Sequence, residues 1–362
     1  MIKILYAIDG LRSGGKERRF LSLLKKMSIL KNFQCEVILF NKNIHYKEIF
    51  DLDVKYSFIN RKYPFDIRSF NQFNNKVKAF NPNMIHAWDT LSTLHAILPA
   101  KFLNIKLITS KITDAPVKYK KFSKYGIASE LCFKYSDIIL SNSNAGIQSY
   151  KVPLNKSKVI YNGFDQNRKK IIINKTEKIK SFNIKEKFLI GMVANFNKNK
   201  DYNTFINTAA LIKKEYKDIG FIAVGDGPLR QTFNKLNNNG IYFLGKRNDV
   251  EEIIQCCDIG VLLTNKNNHG EGISNSIMEF MAFGKPVIAS DSGGNSELII
   301  NEYNGFIIKR NSSKLLIDKI LFLRDNNKIL KTIGNNAYLT IKNKFNIENM
   351  LNSFVKVYKE IK

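Results

Sequence analysis

Cysteine is scarce: four in 362 residues, at Cys35, Cys132, Cys256 and Cys257. None stands at metal-ligand spacing and the one close pair is adjacent in the chain, which argues against structural zinc and dithiol chemistry. The four are expected as reduced, mostly buried thiols. No run of about 18 uncharged apolar residues occurs, so no membrane-spanning helix is expected. The opening MIKILYAIDGLRSGG also lacks the long apolar core and cleavage site of a secretion signal, and the expectation is a cytoplasmic protein. The string GxGxxG is absent, against a dinucleotide enzyme. The single D-x-D string, Asp51-Leu52-Asp53, falls near a strand start, so no metal is expected.

Acidic residues are few beside basic ones, 31 against 58, for a net charge of +27. Such an excess favours an anionic partner: nucleic acid, a phospholipid surface or a phosphorylated substrate. Nucleic-acid binding would gather the charge on one face or helix. Here it is spread, with 28 basic and 12 acidic residues up to Arg168 and 30 and 19 beyond it. No nucleic-acid partner is therefore expected.

At this length two domains are the starting expectation. Short apolar runs alternate with helix-period stretches, the pattern of parallel sheets covered on both faces. In the first half the strands are read at 2–8, 35–40, 84–88, 106–110, 137–143 and 158–163. A charged stretch without stable period, 165–187, reads as the boundary. A second series follows at 188–194, 219–225, 241–245, 258–263 and 286–290. The expectation is an α/β chain of two Rossmann-like, doubly wound domains, 1–168 and 169–345, facing one interdomain cleft. A helix over 346–362 is expected near their junction.

Five polar loops follow consecutive strands of the second half, at the sheet edge where open parallel sheets bind ligands. One of them runs into EGISNSIMEF, residues 271–280. A helix starting near Ser274 offers backbone N–H groups without intrahelical partners, at the positive end of its dipole. Gly272 lets a ligand approach, and Ser274, Asn275 and Ser276 suit capping or hydrogen bonding. This is a phosphate seat with an acid on each flank. A ligand with a central diphosphate would meet Glu271 through the hydroxyls of one sugar and Glu279 through those of a ribose. Lys200, in NFNKNKD, can reach the same place as a point charge, and Gly225 and Asp226 form a turn in GDGPLR. Neither Lys200 nor Glu279 is expected in a packed core.

From GMVANFNKNKD through GDGPLR, FLGKRNDV, EGISNSIMEFMAFGKPVIASDSGGNSELI and NGFII, the chain resembles the retaining nucleotide-sugar glycosyltransferases of the GT-B fold, in their large fourth family. The resemblance continues upstream through SGGKER, NPNMIHAW and SDIILSNSNAGIQSY. It implies transfer of a sugar from a nucleoside diphosphate, UDP- or GDP-linked, to a lipid-linked or growing saccharide of a capsule, lipopolysaccharide or other surface glycan. Glu279 would hold the donor ribose and Glu271 the donor sugar, with Lys200 on the diphosphate; Glu271 and Lys200 are the candidate catalytic residues. The arginine usual five residues before that lysine is Asn195 here. Gly14 and Gly15 match the glycine loop that approaches the donor, and Arg247 lies in the loop that meets the base. The backbone of Gly272, Ile273, Ser274 and Asn275 would cradle the diphosphate. Neither cofactor nor metal is required, because fixed N–H donors and a lysine stabilise the departing diphosphate.

Acceptor-side candidates are His86, for which a packed or surface position is the alternative, with Asp89, Lys111 and Asp114, and His269 stands beside the donor sugar's acid. The stretch KYKKFSKYG, 118–126, interleaves lysines with aromatic rings in a way that suits an anionic membrane surface. It predicts peripheral binding to the inner face of the cytoplasmic membrane. Two alternatives remain at this stage: a GT-B sugar-nucleotide epimerase, against which the paired glutamates argue, and a basic nucleic-acid-binding protein.

Overall fold

The computed structural model describes residues 1–12, 14–61, 63, 66–169, 173–234, 240–265 and 270–362. Within them the chain divides into two compact units, Met1–Gly163 with Ile347–Lys362, and Phe164–Asn346. The division precedes Arg168 because the turn after Gly163 is bound into the second unit. The Phe164 amide donates to the Phe345 carbonyl at 2.8 Å, and Arg168 pairs with Glu251 at 2.5 Å. The closing helix, Ile347–Ile361, belongs to the first unit, where it buries Phe354, Val357 and Tyr358.

The first unit is a seven-stranded sheet: β1 (Ile2–Ile8), β2 (Phe33–Leu39), β3 (Lys55–Phe58), β4 (Met84–Ala87), β5 (Lys106–Ile112), β6 (Ile138–Ser141) and β7 (Ser157–Val159). Their order is β3-β2-β1-β4-β5-β6-β7, and every pairing is parallel. The alternation of a strand explains why β1 is apolar throughout. Ile4, Tyr6 and Ile8 join a core with helix Gly15–Met27 and the closing helix, while Leu5 and Ala7 enter another with Ile38 and Phe73. Strand β3 was not anticipated: its KYSF sequence lies at the sheet edge and carries no apolar run.

The second unit has six strands: β8 (Phe188–Val193), β9 (Ile219–Val224), β10 (Ile241–Gly245), β11 (Ile259–Leu262), β12 (Val287–Ser290) and β13 (Gly305–Ile308). The order is β10-β9-β8-β11-β12-β13, again all parallel. The charged stretch read as a boundary contains helix Lys175–Ser181, capped by the Asn174 side chain. Both sheets are therefore doubly wound, with strand order reversing between β1 and β4 in one and between β8 and β11 in the other. Loops leaving the strands at such a reversal diverge and expose backbone, which makes it the natural ligand site. In the second unit, helix Asn275–Ala282 lies close over that point. A Cβ on Gly260 of β11 would stand 2.4 Å from the Phe280 ring, so only glycine admits the helix there.

Candidate functional site

At the reversal in the second unit the loops after β8 and β11 are tied together by backbone. Asp201 N donates to Leu263 O at 3.0 Å and Asn265 N to Asn199 O at 2.9 Å, and Lys200 bridges Thr264. The Lys200 ammonium meets the Glu271 carboxylate, whose Oε1 also accepts the Thr264 hydroxyl at 2.8 Å. Asp201 then caps helix Tyr202–Glu215 by accepting Thr204 N at 3.0 Å.

Glu271 is 7% exposed, and its backbone is clamped from behind by the loop after β12. Ser292 Oγ accepts the Glu271 amide at 3.3 Å, and the Glu271 carbonyl accepts Gly294 N at 2.8 Å. Gly293 between them has φ +52°, and a Cβ on it would lie 2.1 Å from the Glu271 carbonyl oxygen. The DSGGNSE loop is thus shaped by contact with Glu271, a role its sequence alone did not reveal.

Ser274 caps helix Asn275–Ala282, its Oγ accepting Ile277 N at 3.4 Å. Gly272 and Ile273, between Glu271 and the cap, are buried. On the helix itself, Glu279 is only 3% exposed. Its Oε1 accepts Arg168 Nη2 at 2.8 Å, while Arg168 Nε donates to Glu251 at 2.9 Å and the guanidinium lies 4.9 Å from the centre of the Phe164 ring. The expectation that neither Lys200 nor Glu279 lies in a packed core is corrected for Glu279, which is buried with Arg168 as its ion-pair partner; Lys200 is half-buried beside Glu271. Arg168 was missed altogether, since one more cation in a basic chain carries no sequence signal.

The other residues expected on the donor side lie on neighbouring loops of the same edge. Phe196 N donates to Asp226 O at 2.9 Å, which joins the Asn195 loop to the GDGP turn, and Gly225 N donates to Gly245 O at 2.9 Å. Asn195 and Asp226 are exposed. Arg247 forks onto Asp249 with two bonds of 2.7 Å and covers the Phe182 ring at 5.3 Å. Hydrogen bonds from Arg247 and then Lys178 outweigh burial and hold the Asp249 carboxyl well below the usual range. His269 lies outside the described residues.

In the first unit, Gly14 is the cap position and Gly15 the first residue of helix Gly15–Met27. Asp89 caps helix Thr90–Phe102 and also accepts the Asp9 amide at 2.7 Å and the Lys16 ammonium at 3.3 Å. Lys111 donates to Ser129 Oγ at 2.6 Å and lies 4.5 Å from the centre of the Tyr150 ring, whose hydroxyl donates to Asp114 at 2.9 Å. Lys111 and Asp114 are thereby brought together. His86 corrects the acceptor-facing reading in favour of the packed one. It is fully buried between Tyr358 OH (2.8 Å) and Ser110 Oγ (2.7 Å), and burial, then the Arg19 charge, push its pKa well below the ordinary value. Arg19, equally unforeseen, is buried with its guanidinium 5.5 Å from the Trp88 ring centre.

Among the described residues no three His, Cys, Asp or Glu side chains gather as metal ligands, and no helix is long and apolar enough to cross a membrane.

Residues 174–340, nearly all of the second unit, match the glycosyl transferases group 1 family model. The chain carries a glycosyl transferases group 1 domain. Lys200, Glu271, Glu279 and the capped helix start fall inside it, and Arg168 stands just before it. An uncharacterized glycosyltransferase of Methanocaldococcus jannaschii is 29% identical to the chain over 64% of it and 60% of that protein. The N,N'-diacetylbacillosaminyl-diphospho-undecaprenol alpha-1,3-N-acetylgalactosaminyltransferase of Campylobacter jejuni is 32% identical over 44% of this chain and 41% of its own. The aligned stretches thus span about half the length of these relatives. HepE of Anabaena, solved in complex with UDP-glucose, shares the fold across 99% of this chain and 100% of its own, with a TM-score of 0.86 at 20% identity. The group 1 domain and the first unit together have the two-sheet GT-B architecture that the sequence resemblance implied.

Proposed function

We propose that the protein is a retaining glycosyltransferase that moves a sugar from a UDP- or GDP-linked donor to a lipid-linked or growing saccharide during surface-glycan synthesis. One observation carries this reading: the Lys200–Glu271 pair and the Ser274-capped helix start lie side by side where strand order reverses. The diphosphate rests on the N–H groups of that helix start, with Lys200 as its point charge. Glu279 takes the ribose and Glu271 the hydroxyls of the transferred sugar. As the bond to the anomeric carbon breaks, negative charge grows on the diphosphate, where fixed donors stabilise it without rearranging. The transfer needs no resident metal.

The lipid-linked acceptor is supported by the Campylobacter relative, whose name places its acceptor on diphospho-undecaprenol. The first unit adds a surface suited to reaching such an acceptor. Phe122 and Tyr125 are 89% and 87% exposed, and Lys118, Lys120, Lys121 and Lys124 around them are exposed as well. Rings at the interface and lysines on anionic headgroups bind the protein peripherally to the inner leaflet.

A thermal-shift and hydrolysis screen of nucleotide sugars, run with EDTA, tests the donor reading. Stabilisation by one nucleoside diphosphate series and release of its sugar are expected; no response to any of them sinks the proposal. Flotation with vesicles tests the surface: recovery with anionic lipid and not with neutral lipid is expected, and equal recovery in both counts against it.

A further inference from the structure

Arg168 has no part in the donor reading above, yet it is the cation bound to the carboxylate assigned to the ribose. We infer that Arg168 is the positioning residue of the ribose contact: it fixes the Glu279 carboxylate so that the domain distinguishes a ribose from a sugar without its hydroxyls. The inference rests on the donor-site reading of Glu279.

The geometry supports it in three ways. Glu279 is almost wholly enclosed and Arg168 Nη2 engages its Oε1 at 2.8 Å, a charge-assisted bond that removes one freedom of the carboxylate plane. Arg168 is itself held at two further points, by Nε to Glu251 at 2.9 Å and by Nη2 to the same oxygen at 2.5 Å. Its guanidinium plane also rests against the Phe164 ring, 4.9 Å from the centre. A cation pinned by a second acid and an aromatic face is a rigid support, and rigid support of a binding group is what lowers the ordering cost of ligand capture. A purely stabilising ion pair needs none of these additional restraints. Glu251 and Glu279 lie on different helices, Val250–Cys256 and Asn275–Ala282, so Arg168 also sets the spacing between them.

The test compares the tightest-binding nucleoside diphosphate among UDP, GDP and ADP with its 2',3'-dideoxy counterpart, by calorimetric titration. In the unaltered protein the dideoxy form is expected to bind about tenfold or more weakly, the effect of losing a hydrogen bond to a charged group. In Arg168→Ala that ratio is expected to collapse to about twofold or less, because the carboxylate no longer has a fixed position. Arg168→Lys, which keeps the charge and loses the fork, covers the case in which the alanine variant does not fold and is expected to lose most of the discrimination too. Arg324→Ala, which breaks the ion pair with Asp218 elsewhere in the unit, is expected to keep it. If Arg168 variants discriminate as well as the unaltered protein, or if Arg324→Ala loses discrimination equally, the inference fails while the donor site stands. If the unaltered protein binds no nucleoside diphosphate, the donor reading fails and takes the inference with it.

Discussion

Lys200 and Glu271 are joined across the loops that leave β8 and β11, and the carboxylate oxygen that meets the ammonium also accepts the Thr264 hydroxyl. The pair places one positive and one negative group beside the start of helix Asn275–Ala282, within the same small region of one sheet edge. A ligand with an anionic centre flanked by hydroxyl-bearing rings matches that arrangement.

Removing the cation has two separable consequences. Lys200→Ala is expected to weaken nucleoside diphosphate binding by roughly 10- to 100-fold, the scale of a charge-assisted contact. It also takes the Lys200 ammonium away from an enclosed carboxylate, which costs about 1–3 kcal/mol of folding stability. Calorimetric titration reads the first and denaturant unfolding the second; unchanged affinity contradicts the diphosphate role.

Glu271→Gln keeps the shape of the side chain and removes its charge. Its assigned contact is to the transferred sugar, so the affinity for the nucleoside diphosphate alone is expected to stay within about threefold while sugar release and transfer fall by roughly 100-fold. Equal losses in both measurements would place Glu271 on the nucleotide instead.

Gly293→Ala probes the clamp behind Glu271. The added methyl group meets the Glu271 carbonyl at a non-bonded distance that cannot exist, in a left-handed backbone. The loop must move, and a loss of about 2–4 kcal/mol is expected together with weaker donor binding. A urea midpoint equal to that of the unaltered protein contradicts the clamp.

Acid sensitivity follows from Asp89. Burial pushes its carboxyl up, but the Lys16 charge and the amides of Ser92 and Asp9 outweigh that, and its pKa lies below the ordinary value. The unfolded chain therefore takes up the proton first, so this stabilisation is complete above about pH 4 and disappears as the pH falls through the folded value. Between pH 5 and 3 the unaltered protein is expected to lose more unfolding free energy than Asp89→Asn, which starts lower at pH 7. Parallel pH profiles would exclude the effect.

The thiols are expected to be inert. Burial pushes Cys35, Cys132 and Cys257 up to about 12, and Cys256 upward in the same direction. Thiolate is the reactive form, so native protein should react with a disulfide reagent far more slowly than denatured protein, which should titrate four groups. Rapid native labelling of any of them argues against this packing.

Much of the architecture was legible in the linear chain because a strand covered on both faces must be apolar at consecutive positions. Ile2–Ile8 is such a strand and its bounds could be read directly; Ile219–Val224 is another, read one residue too long. Edge strands escape that rule, as Lys55–Phe58 shows. The helix start at Ser274 was readable too, since capping is a local matter of residue type and backbone conformation. Long-range pairing is not local. That Arg168 serves Glu279, that Gly293 shapes the backbone of Glu271, and that His86 is enclosed by Tyr358 from the far end of the chain were decided only when the sheets brought distant loops together. Composition and periodicity determined which segments become strands and helices; the tertiary fold alone decided which charges meet, because Coulomb and hydrogen-bond partners are chosen by proximity in space.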